Sequence, residues 1–245
     1  MSILVAYERD SQLKRVHISA YDSELHKGKL VCADGHDVVG KKGTKVVWHY
    51  AHAKGTDCED GACSRVMGEW HHWWQDRVEP DFLEIIMKRD GVKHIADMIN
   101  AENIVIEFQK SIIPSETILE REKFYNQMVW IFCCTEMPVK VVATYGRYVK
   151  LKMLGGSKYF LAATKPTFLD FGKRGILELV KITDAKKSKP ELYARIWTMR
   201  EFDEAFMRGC LLPTASSRID REPYQFEEKT EDFATCEKFL NARKK

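Results

Sequence analysis

The sequence predicts a mixed α/β protein: a central sheet flanked by helices, behind a β-rich N-terminal region. Apolar residues recur at helical spacing over 66–78. Two short apolar runs, 93–99 and 104–109, are separated by Asn100, Ala101, Glu102 and Asn103, and further β-like runs lie on both sides. With 245 residues, 44% hydrophobic and 31% charged, the chain suffices for one large domain or two small ones. Disordered, collagen-like and coiled-coil descriptions of the whole are excluded. No run approaches the roughly 18 apolar residues of a membrane span, so no membrane association is expected. Residues 1–5 lead directly into Arg9 and Asp10 without an apolar segment ahead of a small-residue cleavage site, so an intracellular protein is expected. Seven cysteines, odd in number and irregularly spaced, read as thiols or metal ligands rather than as a disulfide framework. A net charge of +3 permits nucleic-acid binding without arguing for it.

In chain order, the first 53 residues read as short strands at 3–6, 16–20, 30–40 and 45–50, the last two around a turn at Gly40, Lys41, Lys42 and Gly43. After a loop rich in glycine, Ser64 serves as an N-cap for a helix carrying Val66, Trp70, Trp73, Trp74 and Val78. Pro80 then opens a second helix with Phe82, Leu83, Ile85, Ile86 and Met87, and Gly91 stands where a C-terminal cap belongs. A hairpin follows, with strands 93–99 and 104–109 joined by the asparagine-flanked turn. Pro114 and Ser115 open a helix to about Asn126, and the apolar run 128–134 is a buried strand. Beyond Pro138, strands are expected at 139–144, 148–153, 159–163 and 176–182, then a helix at 201–208. The domain organisation read from this order is a β-rich region at 1–63, an α/β core with a C-terminal β elaboration at 64–225, and a polar tail at 226–245.

Two carboxylates interrupt the hairpin's apolar strands: Asp97 within Ile95, Ala96, Met98 and Ile99, and Glu107 within Ile104, Val105, Ile106 and Phe108. A buried carboxylate without a partner costs several kcal/mol, so each must face water, pair with a cation such as Lys93 or Lys110, or bind a metal. Residues two apart on a strand share a face, which sets Glu107 beside Gln109. Asp97 joins them only if opposed residue numbers sum to an even value near 204, so that Asp97 faces Glu107, Ile99 faces Val105 and Ile95 faces Gln109.

An Asp, then a Glu-x-Gln in an apolar strand, preceded by a helical Glu69, resembles the P-D-(D/E)-x-K nuclease core with Gln in the Lys position. The surrounding text extends the likeness: Tyr50, Ala51 and His52; Gly68 and Glu69 with His72; Ile106 to Ser111 around Glu107 and Gln109; Arg121 with Tyr125; and Trp130, Ile131 and Phe132. In this order these residues resemble the competence protein CoiA-like family. The resemblance spans roughly residues 32–132. It implies a restriction-endonuclease-like core, of helix, mixed central sheet and helix, that hydrolyses phosphodiester bonds in DNA, with DNA favoured over RNA. It nominates Glu69, Asp97, Glu107 and Gln109 as catalytic residues. Asp97 and Glu107, with the Phe108 carbonyl, would hold one or two Mg²⁺ or Mn²⁺ ions, Glu69 would complete the shell, and Gln109 would orient water. His72, Lys110, Arg121 and Tyr125 are the candidate nucleic-acid contacts. Trp70 and Asp76 depart from the family's small and basic residues at those positions.

Cys32 and His36 sit in one turn, and Cys58 and Cys63 in the loop before the first helix. Four nitrogen and sulfur ligands from two knuckles suit a tetrahedral structural Zn²⁺, as in a zinc ribbon. Many relatives in the resembled family carry a Cys pair where Cys32 and His36 stand. The alternative ligand set replaces those two by His49 and His52. Three functions are thus open to this chain: a divalent-metal-dependent endonuclease, which leads, a nuclease-fold protein that binds DNA without cutting it, and a structural zinc-bearing interaction protein. Lys41, Lys42, Lys45 and Lys54, with Lys186, Lys187 and Lys189, are available to track a phosphate backbone.

Overall fold

The computed structural model describes residues 3–45, 47–54, 68–155, 159–183 and 190–212. Cys58, Cys63, the expected helix start at Ser64, the lysines Lys186, Lys187 and Lys189, and the expected tail at 226–245 lie outside the described residues. In chain order the elements are β1 (Val5–Glu8), β2 (Ser11–His17), a 3-10 turn (Ile18–Ala20), α1 (Ser23–His26), β3 (Leu30–Val31), β4 (Val38–Lys41) and β5 (His49–His52). Then come α2 (Glu69–Gln75), a 3-10 turn (Pro80–Phe82), β6 (Leu83–Arg89), β7 (Val92–Ile99), β8 (Val105–Gln109), α3 (Ser115–Tyr125) and β9 (Met128–Cys133). The remainder is β10 (Val139–Tyr145), β11 (Tyr148–Met153), a 3-10 turn (Tyr159–Ala162), β12 (Thr167–Asp170), β13 (Ile176–Thr183), β14 (Glu191–Trp197) and α4 (Met199–Phe202).

The fold is mixed α/β with few helices. Its large sheet has nine strands in the order β10-β11-β14-β13-β12-β9-β8-β7-β6, and smaller sheets are formed by β2-β1-β3 and β4-β5. The pairs β8–β9 and β9–β12 are parallel, while β12–β13 and β6–β7 are antiparallel. Parallel strands are normally covered on both faces, which is why Met128–Cys133 reads as one continuous apolar run. The chain divides into two compact units, Met1–Met98 and Ile99–Lys245. The first has its own core under β1–β5, including Leu4, Val5, Tyr7, Leu30 and Tyr50. In the second, Trp130 stacks on Phe132 at 5.3 Å between ring centroids. Among the described residues no helix is long and apolar enough to cross a membrane.

The helix expected from Pro80 is instead one 3-10 turn followed by strand β6. Its apolar residues crowd too closely for their spacing to separate a helix from a strand. The decisive feature is the Asp90–Gly91 pair, both at positive φ (51° and 77°), between the paired residues Arg89 and Val92. This is a two-residue hairpin turn of the kind Asp-Gly favours, so Gly91 turns a hairpin rather than capping a helix. The strand expected at 159–163 is a 3-10 turn. The single strand expected at 30–40 is two, β3 and β4, with Gly35 at φ 84° between them. The helix expected at 201–208 begins at Met199 behind a Thr198–Glu201 capping box and widens into a π turn over Asp203–Met207. Strands β12 and β14 were not expected from the sequence.

Candidate functional site

In the first unit, α2 follows Gly68 and carries Glu69, exposed, in its first turn, while Trp70, His72, Trp74 and Gln75 turn inward. Burial lowers the His72 imidazole's pKa, opposed by Asp76 and assisted by His71 and His49. The neighbouring His71 reaches the strand: its Nε2 lies 3.6 Å from Asp97 Oδ1. Gln75 Nε2 donates to the Asp97 carbonyl at 3.4 Å, so the helix is tied to the strand at Asp97 twice. The Asp97 side chain keeps about a quarter of its exposure, 25%.

A residue that sequence reasoning missed stands across from it. The pairs Leu83–Met98 and Ile85–Ala96 bracket Glu84 and Asp97, so these two acids oppose each other on neighbouring strands and share a face. Glu84 has φ 48°, a conformation ordinary side chains avoid. Its Oε2 accepts from the Leu4 amide at 3.1 Å and the Val5 amide at 3.0 Å. The residue as a whole stays half-buried, but its carboxylate is enclosed. Burial is the largest cause pushing its pKa up to about 7; the two amides oppose this, Asp97 adds to it and Arg15 opposes it. An acid inside an apolar stretch, the signal that singled out Asp97 and Glu107, was equally present at Glu84.

The same unit brings Cys32, His36 and His52 together, with their ligand atoms all within 4.8 Å of one another. His49 is not in that group; its Nδ1 contacts the Val47 carbonyl at 2.7 Å. Cys58 and Cys63 lie outside the described residues.

In the second unit, all five residues of β8 are buried, Glu107 and Gln109 included. The Glu107 side chain is 1% exposed, and the Arg121 guanidinium on α3 donates to it. Arg121 is therefore turned toward the sheet and is itself only 13% exposed. Gln109 Nε2 donates to Ser111 twice, to the carbonyl at 2.6 Å and to Oγ at 3.0 Å, which folds the chain back after β8. Lys110 is exposed, and its carbonyl accepts from the Tyr159 hydroxyl at 3.3 Å. Tyr125, one turn after Arg121, is buried edge-on against Phe124. Between them, Glu122 accepts from Trp130 Nε1 at 3.0 Å and from the Thr164 and Lys165 amides at 2.8 and 3.1 Å, and so anchors α3.

A tight turn at 100–104 leads into β8. The Asn103 amide donates to the Asn100 carbonyl at 2.9 Å, and the Asn100 amide to the Ile104 carbonyl at 3.0 Å. Asn103 is at φ 60°. This is a three-residue hairpin loop with its last residue left-handed, in which Asn100 stands opposite Ile104. The Asn100 side chain reinforces it, its Oδ1 accepting from the Glu102 and Ile104 amides at 3.0 and 2.9 Å. Compared with known proteins, the chain matches no family model, no curated protein and no solved structure.

Proposed function

We propose that this chain is a divalent-metal-dependent nuclease acting on DNA, in which Asp97 and Glu107 are the cation ligands, Glu69 assists and Gln109 places the attacking water. What supports this is the Asn100–Ile104 turn closure, an opposed pair whose residue numbers sum to the even 204 that the expected Asp97–Glu107 pairing needs. The nine-stranded mixed sheet with β8 and β9 parallel is compatible with a restriction-endonuclease-like core, the finer fold that the CoiA-like resemblance implies.

The donor set fits a hard cation. Carboxylate oxygens are the ligands Mg²⁺ and Mn²⁺ take, and such an ion, when bound, polarises the scissile phosphate and lowers the pKa of its water. Gln109 cannot supply the positive charge of a lysine. The Arg121 guanidinium is bonded to the buried Glu107 carboxylate and brings a positive charge to Gln109's strand. The exposed Glu69 on the first turn of α2 is free to reach an outer ligand position.

A second function, DNA binding without cleavage, is favoured by the same ion pair, because Arg121 already compensates Glu107 without any cation. Incubation of the purified chain with single-stranded, duplex and branched DNA, and with RNA, separates the two in Mg²⁺, Mn²⁺ or EDTA. Metal-dependent cleavage that is lost in Asp97→Asn supports the nuclease. Binding without cleavage on every substrate replaces it with the second function.

A further inference from the structure

We propose that Cys32, His36 and His52 supply ligands to a zinc-binding site, independent of the nuclease proposal. The turn Cys32–His36 has the form of a metal knuckle. The Cys32 amide donates to the His36 carbonyl at 2.7 Å, and the Gly35 amide to the Cys32 carbonyl at 3.0 Å. Gly35, at φ 84°, takes the left-handed conformation that lets the chain fold back so tightly. The Asp34 amide points at Cys32 Sγ from 3.3 Å, and a donor aimed at sulfur favours the thiolate, the form that binds metal.

His52 comes from a different element. The β4–β5 ladder pairs it with Val38, two residues after His36, and the Ala53 amide locks the end of β5 onto the Asp37 carbonyl at 2.9 Å. The His36 and His52 rings then lie edge to face with centroids 6.1 Å apart. Cys32 Sγ and His36 Nδ1 are 3.7 Å apart, close to the roughly 3.6 Å edge of a tetrahedron built on typical zinc–sulfur and zinc–nitrogen bond lengths. Both ring nitrogens of His52 are buried without a hydrogen-bond partner among the described residues. Buried polar nitrogens are seldom left unbonded, and a metal at the centre of this cluster satisfies one of them at once.

One thiolate and two imidazoles suit zinc better than magnesium or calcium, which take oxygen. Zinc content of the full chain, purified without chelator, and its spectrum after replacement of zinc by Co²⁺ test the site. About one zinc per chain is expected, with a cobalt charge-transfer band that reports thiolate ligation. That band should lose intensity in Cys32→Ser. In His52→Gln the affinity should fall by about 10-fold or more, while far-ultraviolet circular dichroism shows the fold retained. The wild-type spectrum decides the matter even if a variant does not fold. No zinc and no cobalt band in a folded protein, or an undiminished band and undiminished zinc in folded Cys32→Ser, would each overturn the site.

Discussion

The Arg121 guanidinium is bonded to the Glu107 carboxylate, joining helix α3 to a strand in which every residue is buried. Removing one partner of a buried pair strands the other charge, so Arg121→Met should destabilise the protein by about 3–5 kcal/mol. Glu107→Gln should also lose stability. The double variant should recover most of the loss, because two neutral side chains of similar volume leave no uncompensated charge. Urea denaturation gives each value; additive losses in the double variant would show that the two residues act separately.

Asp97 behaves differently. It opposes Glu84, and the two like charges disfavour each other, so Asp97→Asn should be neutral or slightly stabilising in EDTA. Its effect belongs in cleavage. Loss of a direct cation ligand should lower the Mg²⁺-dependent rate by more than the roughly 10–100-fold typical of an outer-shell partner. Equal rates for folded wild type and Asp97→Asn would assign the activity to another site or a contaminant.

At Gln109 two roles compete, because its amide nitrogen is already bonded to Ser111. Gln109→Lys should retain cleavage, since an ammonium can donate to the same acceptors and restores the commoner residue of the nuclease motif. Gln109→Ala should lose more. Ser111→Ala separates the roles: if it costs as much activity as Gln109→Ala, Gln109 acts by shaping the turn and not by placing water.

The hairpin around Asn100 and helix α3 were legible because both are local. Two asparagines flank the first, and Pro114, Ser115 and Glu116 open the second. The parallel core strand β9 was legible from its unbroken apolar run. Strand β6 was not. An apolar run of that density satisfies either period, and the deciding Asp90–Gly91 turn carried a glycine that also fits a helix end. The role of Glu84 was hidden for a further reason: its hydrogen-bond donors, the Leu4 and Val5 amides, lie about eighty residues away in the chain. For the same reason the spacing of Cys32 and His36 indicated a knuckle, while His52 entered the cluster only through the β4–β5 pairing.

Glu84 makes the protein's stability depend on pH in a direction opposite to that of a salt-bridged acid. Its folded pKa, about 7, lies above its ordinary value of 4.5, so between these values the folded state binds a proton that the unfolded state has released. Stability from this group is therefore fully present below about pH 4.5, falls as pH rises toward 7, and is flat beyond. Glu84→Gln should remove that fall. A single side-chain oxygen is enough to accept from both amides, since Leu4 and Val5 each reach the same Oε2. The neutral side chain also avoids the repulsion from Asp97. The variant should thus match wild type near pH 5 and exceed it near pH 8, read from urea midpoints across that range. Parallel pH profiles for the two proteins would mean that Glu84 is ionised throughout, held by its amides and Arg15 against the cost of burial. In that case Glu84→Ala, which leaves both amides unbonded, should be the more damaging change at every pH.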